Sequence, residues 1–255
     1  MKKFFLFAIV VSASVLVSCK KDKAVTPVPV PDAPSKLLTK MTKTENNITT
    51  VFNFLYDASK RLTSYKSTDN KVGIDFTYDN NGNLIKIENN EDGFKNIYTY
   101  TYSNNIPVSG TFKSWQKTGG EPDELIEDDL LNYTVVNNLV TKIHVSFTQW
   151  QDAADFDLIY GSNGNLSKIT SGGTGYTASF GYGTKKPVFP IVSKFILDQA
   201  GFSLQFAAKN ELLSVAFDFP GTQFDETINN QYTYDANGYV LTSGDGTASI
   251  KYEYQ

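Results

Sequence analysis

The sequence predicts an all-β protein, a long antiparallel meander of β-hairpins curled into a barrel-like or strongly bent sheet. Apolar and polar residues alternate in short runs along the chain. The alternation is strictest in Ile97-Tyr98-Thr99-Tyr100-Thr101-Tyr102, which puts three tyrosines on one face. A turn phrase separates these runs and recurs. Tyr78-Asp79-Asn80-Asn81-Gly82-Asn83-Leu84 returns at 160–166 and 234–240, and at 56–62 with Lys60 in the glycine position. The chain also holds 18 Phe and 15 Tyr among 255 residues, types that favour a pleated, half-buried surface. The spacing of the phrases is too uneven for a solenoid or propeller. Closing the meander on itself would remove its exposed edges.

The N-terminus reads differently. Met1-Lys2-Lys3 precedes an uncharged apolar run from Phe4 to Val17, shorter than the ~20 residues of a spanning helix and suited to a signal-peptide core. It ends in Leu16-Val17-Ser18-Cys19, which resembles a bacterial lipobox and implies that Cys19 is lipidated and becomes the mature N-terminus. Several acyl chains anchor a protein stably where one is marginal. This cysteine is the only one in the chain, which excludes an intramolecular disulfide, and the single histidine excludes a multi-histidine metal site. Residues 1–18 therefore read as a signal peptide and 19–36 as the lipidated Cys and a tether. Pro27, Pro29, Pro31 and Pro34 make that tether extended, about 50 Å at ~3.1 Å per residue. Lys20-Lys21-Asp22 resembles the lysine/acid export signals of Bacteroidetes surface lipoproteins. This implies an outer-membrane lipoprotein on the cell surface, with a periplasm-facing position as the alternative.

Residues 37–255 form a single hairpin-repeat domain. Strands are expected at 48–56, 74–78, 84–88, 97–102 and 108–116. Asn81-Gly82 predicts a type I′ turn, with φ above zero at both residues. Gly119-Gly120, Pro122 and a run of acids predict a long loop over 117–129. Strands resume at 130–136 and 139–150. In the second, Ile143, Val145 and Phe147 share one face and Lys142, His144, Ser146 and Thr148 the other. Further strands follow at 155–160, 174–182, 202–207, 212–219, 231–234, 239–243 and 249–254. Between them, Pro190 at the first helical position and Gly201 after the last predict one short helix near 190–200. Ile191-Val192 and Phe195-Ile196 suit a strand equally well.

Tyr-Asp-x-x-Gly-x-Leu resembles the YD repeat of bacterial Rhs proteins. It matches Tyr78–Leu84 fully, Tyr234–Val240 with Val for Leu, and Tyr160–Leu166 with Gly for Asp. Together with the lipobox and tether, the whole chain resembles a Bacteroidetes lipoprotein domain of unknown function with a porin-like fold. That resemblance implies a barrel-like fold and supplies no catalytic residues. A membrane-spanning barrel is not expected, because a stretch such as 74–78 is shorter than the ~9–11 residues of a transmembrane strand. The 84–88 alternation also sets Lys86 and Glu88 on the face of Leu84.

Candidate sites are few. Glu121, Asp123, Glu124, Glu127, Asp128 and Asp129 have the oxygen chemistry of a weak calcium site. They lack EF-hand spacing and its central Gly, so a solvated acidic loop is the favoured reading. Trp115 and Trp150 each lie near a predicted strand end, where an indole ring could stack on a sugar or pack at a barrel rim. His144 reads as a surface residue. No nucleophile elbow, phosphate loop, dinucleotide fingerprint or zinc spacing is present. The expectation is thus a non-enzymatic, cofactor-free envelope module that binds a glycan or a protein partner. Its alternatives are a structural or assembly factor of the outer membrane, or an unrecognised polysaccharide hydrolase. The net charge of -4 without a basic stripe argues against nucleic acid.

Overall fold

The computed structural model describes Lys36–Gln255 apart from residues 92, 120, 121, 200, 224, 245 and 247. The signal-like run, Cys19, the tether and Glu121 lie outside the described residues.

The described chain is all-β, with seventeen strands. The first nine are β1 (Leu38–Glu45), β2 (Ile48–Tyr56), β3 (Leu62–Ser67), β4 (Gly73–Tyr78), β5 (Leu84–Glu91), β6 (Phe94–Ser103), β7 (Ile106–Gln116), β8 (Glu124–Val136) and β9 (Leu139–Phe147). The remainder are β10 (Asp152–Tyr160), β11 (Leu166–Thr170), β12 (Thr177–Tyr182), β13 (Leu212–Asp218), β14 (Glu226–Asn229), β15 (Gln231–Tyr234), β16 (Val240–Gly244) and β17 (Ala248–Tyr254).

Each strand from β1 to β13 pairs antiparallel with its successor. The ladder continues from β15 through β16 to β17. β14 and β15 are successive halves of one strand, broken at Asn230. The first half pairs back to β13 and the second forward to β16. β1 then pairs with β17 along its length. Counted with β14 and β15 as one, the ring has sixteen positions. An antiparallel ring needs such an even number for its first and last strands to pair.

This topology sends successive turns to opposite rims. The near rim holds the phrase turns at 57–61, 79–83, 161–165 and 235–239, with the turns at 104–105 and 137–138. Both ends of the described chain meet there, where Leu37 and Gln255 exchange backbone hydrogen bonds of 2.9 and 3.0 Å. The far rim holds the less regular loops, including 117–123, 148–151, 171–176 and 219–225.

Turn geometry corrects one expectation. Only Gly82 of the Asn81-Gly82 pair is left-handed (φ 82°), and its N–H donates to the Asp79 carbonyl at 3.0 Å. The register slips at the adjoining Tyr78–Leu84 pair, so the phrase is a turn closed by a bulge rather than a type I′ hairpin. The slip also turns Leu84 inward, to 1% exposure, while Lys86 and Glu88 pair on the outer wall. Two-residue turns with both φ values positive occur instead at Asn46-Asn47, Asn104-Asn105 and Asn137-Asn138. Each phrase aspartate holds its turn together. Asp79 Oδ1 accepts the N–H of Asn81 (2.9 Å) and Asn83 (2.8 Å), and Asp57 and Asp235 repeat the pattern.

Tyrosines near the near-rim strand ends, three of them from the phrase, have a second role. The Tyr78 hydroxyl donates to the Leu62 carbonyl (2.7 Å), Tyr56 to Leu38 (2.7 Å), Tyr102 to Leu84 (2.8 Å), Tyr160 to Val140 (2.9 Å) and Tyr232 to Leu212 (2.8 Å). Each joins the end of one strand to the start of a strand in the preceding hairpin, and so stitches the near rim on its inner side. Burial pushes the Tyr56 hydroxyl up to about 12, and its neighbours also upward, so all stay protonated donors.

The lumen is packed by residues 183–211, which leave β12 at the near rim and return to β13. Val192, Phe195, Ile196, Leu197, Leu204 and Phe206 are buried there. Phe206 meets Phe76 edge-on (5.0 Å) and Phe202 stacks on Tyr98 (5.2 Å). The expected short helix near 190–200 is absent, as is the strand over 202–207; only a 3₁₀ turn forms, at Ser203–Phe206. A segment enclosed by wall on all sides needs no one-sided helical stripe, so consecutive residues such as Phe195, Ile196 and Leu197 all bury. The fully buried Asp198 replaces helical hydrogen bonds, accepting the N–H of Phe202 (2.8 Å) and Ser203 (2.6 Å). Tyr133 donates from the wall to the Leu197 carbonyl (2.8 Å).

Outside, the wall carries ion pairs and hydroxyl pairs between strands, interspersed with exposed apolar residues such as Ile48, Leu55, Leu130 and Ile159. Lys66–Asp75 (2.9 Å), Lys113–Asp128 (2.9 Å), Lys142–Asp157 (3.0 Å) and Lys40–Glu253 (3.2 Å) pair across strands. Thr99–Thr111 and Thr233–Thr242 hydrogen-bond between them. A lysine facing lipid near the bilayer midplane costs ~2–4 kcal/mol. The inner face is aromatic, and these ion pairs interrupt the outer face where a membrane barrel has a continuous apolar band.

Two substitutions test the rim. Tyr78→Phe leaves the Leu62 carbonyl without its donor and is expected to cost about 1–3 kcal/mol. Gly82→Ala is expected to cost about 1 kcal/mol through its left-handed φ. Urea unfolding measures both, and unchanged midpoints would show that neither turn nor stitch holds the near rim.

Candidate functional site

A cleft of about 630 Å³ opens at the far rim where the interior segment does not reach the wall. Phe156 of β10, Tyr176, and Phe217 and Phe219 at the end of β13 supply its apolar sides, and Gln199 of the interior segment forms its floor. The rings run as a chain: Phe156–Tyr176 edge-on at 6.2 Å, Tyr176–Phe219 at 5.1 Å and Phe219–Phe217 at 6.4 Å. Thr174, Thr222 and Glu226 add polar groups at the mouth.

Two loops frame it. In 171–176, Ser171 N–H donates to the Tyr176 carbonyl and Gly175 N–H to the Ser171 carbonyl, both at 2.9 Å. Gly175 is left-handed (φ 73°), and a Cβ there would stand 3.2 Å from Pro220, so glycine lets this loop close against 219–225. The Phe219 N–H is held by Asp225 Oδ1 at 2.8 Å. The result is an open slot with flat aromatic walls and a few polar groups, of a size that suits a small ligand or a short chain of rings.

The predicted site residues are dispersed. The acids expected on a loop over 117–129 belong largely to β8, which begins at Glu124, because that stretch ladders with β7 from Gln116 to Ser109. Strand alternation then divides them. Asp128 faces out to Lys113, whereas Asp129 is 1% exposed and faces in beside Glu127. Among the described residues no three His, Cys, Asp or Glu side chains gather as metal ligands. Trp150 is 62% exposed in the 148–151 turn, against Phe147 at 5.7 Å. Trp115 is half-buried near the end of β7, opposite Lys95 and Leu125. Both lie toward the far rim, but neither lines the cleft.

His144 stands on the outer wall, as expected, with its Nδ1 2.8 Å from Asp155 Oδ1 and its Nε2 3.4 Å from Ser146 Oγ. That is the order of groups in an acyl-transfer triad. β9 is laddered on both sides, however, so its amides are engaged and none is placed to hold an oxyanion.

Sequence reasoning missed the cleft aromatics because they come from separate strands. A local signal did exist: Ser171-Gly172-Gly173-Thr174-Gly175-Tyr176 and Phe219-Pro220-Gly221 each set a ring beside a glycine-bearing loop.

No protein-family model matches the chain, and no curated protein matches it. Among solved structures it is similar to a porin-like protein from Bacteroides vulgatus, at 10% identity and a TM-score of 0.55, over 87% of this chain and 99% of that one. A porin-like protein from Bacteroides uniformis is also similar, at 14% identity and a TM-score of 0.46, over 88% and 99% of the two chains. The likeness to the first is one of fold, and agrees with the porin-like fold that the whole-chain resemblance implies.

Asp129 gives the interior a pH dependence. Burial first, then the adjacent Glu127 carboxyl, push its carboxyl up to about 7. The folded-state value exceeds the unfolded value of about 3.9, so this contribution is complete below the latter and is lost as pH rises through the former. The thermal midpoint is expected to fall between pH about 5 and about 8, and Asp129→Asn is expected to flatten that fall. An equally steep fall in the variant would mean that another group is responsible.

Proposed function

We propose that this protein is a lipid-anchored, non-enzymatic module of the cell envelope whose far-rim cleft binds a glycan. The observation that carries this reading is the chain of rings from Phe156 to Phe217 around an open slot, on the rim opposite Lys36. The apolar face of a sugar ring stacks on flat aromatic side chains, and its hydroxyls need scattered polar partners such as Gln199 and Glu226. An anchor at Cys19 would hold the protein at the envelope membrane, and the described domain begins with Lys36 on the rim opposite the cleft. The porin-like protein from Bacteroides vulgatus supports an envelope setting through its fold. The reading as a structural or assembly factor without a small ligand predicts an idle cleft.

A glycan array probed with residues 37–255 tests the proposal. Binding is expected to fall at least tenfold in Tyr176→Ala and Phe219→Ala, about the worth of one lost stacking contact. It is expected to persist in Trp115→Ala and Trp150→Ala. Absence of binding to any glycan would favour the structural reading, and release of reducing sugar would favour the hydrolase. Cys19→Ala is expected to free the protein from the membrane fraction; retention there would refute the anchor.

A further inference from the structure

The two rims differ in the balance of their charges. Around the far rim stand Asp123, Glu124, Asp152, Asp218, Asp225 and Glu226, with Lys71, Lys95 and Lys117. The near rim has acids too, but they are engaged. Asp57 holds Arg61 (2.7 Å), Asp235 holds Lys36 (2.6 Å), Asp79 holds Asn83 (2.8 Å), and Glu211 accepts the Lys185 N–H (2.6 Å). The ammonium groups of Lys185, Lys194 and Lys209 are not. The interior segment passes in and out through the near rim and leaves its lysines at that mouth. Lys185 is exposed beside the 235–239 turn, Lys194 beside the 79–83 turn, and Lys209 beside the 161–165 turn, where its N–H donates to Asn165. None of the three pairs with a carboxylate among the described residues.

The arrangement also has a receptor for an anion. A recess of about 410 Å³ is lined by Lys185, Lys186, Lys209, Asn210 and Asn237, all donors, with Gly238 at its edge. Lys186 leans across it to the Tyr239 hydroxyl (3.0 Å), which accepts the Lys36 N–H at 2.9 Å. The first described residue of the domain is therefore fixed beside this recess.

We infer that the near rim is a contact face for anionic phospholipid headgroups, which the barrel meets end-on through Lys185, Lys194 and Lys209. Spread around the mouth, three ammonium groups suit a surface of many phosphates better than a single ion. They stand on the rim that holds Lys36, the first described residue, and at physiological salt their charges act over ~8–10 Å. The binding face does not depend on the Cys19 anchor.

The test uses the unlipidated domain, residues 37–255, whose ring and interior segment are complete in themselves. Co-sedimentation is measured with vesicles of phosphatidylcholine alone and with vesicles that also contain phosphatidylglycerol. Binding is expected only to the second kind and is expected to weaken with added salt. K185Q/K194Q/K209Q is expected to lower the partition coefficient about 100-fold, at about fivefold per lysine. The far-rim variant K71Q/K95Q is expected to bind as the parent does. The three near-rim lysines are exposed, so the unfolding midpoint of the triple variant should equal the parent's. Equal binding to both vesicles, no binding, or an unaltered triple variant would overturn the inference. So would displacement by inorganic phosphate beyond that by chloride of equal ionic strength, which would mark a site for a free anion. Because the domain lacks Cys19, none of these outcomes bears on the anchor.

Discussion

Filling the lumen is the constraint on which the rest of this structure depends. A ring of sixteen strand positions is wide enough to hold an aqueous channel. Here its inner face is aromatic and aliphatic instead, from Phe54 and Phe76 to Tyr98 and Ile143. Such a face cannot be left to water, and side chains from the wall alone do not span the space. Residues 183–211 meet the demand by threading in from the near rim. Their polar backbone then needs partners away from solvent. Asp198, Ser193, Ser203 and Glu211 are accordingly the buried polar groups of the segment, each bonded to backbone N–H or carbonyl groups within a few residues or across to Lys185. The 3₁₀ turn and the absent helix follow from the same demand, since a segment in a closed space is shaped by what surrounds it.

The repeat belongs to the near rim alone, and that explains its chemistry. Asp fixes the turn, a left-handed Gly or Lys60 closes it, and Tyr reaches back to stitch the preceding hairpin. All three roles concern backbone geometry, so the phrase tolerates Gly161 in place of Asp when Asn163 supplies the carbonyl for the Asn165 N–H. The far rim has no such grammar. Its loops differ in length and composition, and two of them diverge enough to leave the cleft open.

Those facts also decide what could be read before the structure. Strand alternation and the turn phrases announced the meander, because the period of two and the turn chemistry are local. The inward tyrosines of 97–102 and the division of 142–148 into two faces are borne out for the same reason. The bulge at Tyr78–Leu84, the strand under the 124–129 acids and the irregular interior segment were not legible. The bulge is local, but Asn-Gly suits a two-residue turn and a bulged one alike; the other two depend on cross-strand and cross-barrel contacts, β7 across from Asp128, Tyr133 against Leu197 and Phe76 against Phe206. The cleft was the least legible feature, since Phe156, Tyr176 and Phe217 become neighbours only when β10 to β13 line up around the ring.

Repetition and irregularity thus fall on opposite ends of one cylinder, and this separation has a physical consequence. An even, antiparallel ring must return its last strand to the rim from which its first departs, so both ends of the domain are fixed at the near rim whatever the loops do. Elements that lengthen, shorten or change composition at the far rim do not disturb the closure at Leu37 and Gln255, nor the tyrosine stitches, nor the path of the interior segment. The near rim bears the structural load and an excess of free lysines. The far rim bears the acids, the exposed Trp150 and the aromatic slot. A barrel arranged this way can vary its far rim while keeping its near rim constant, so the loops there can change without loss of the fold.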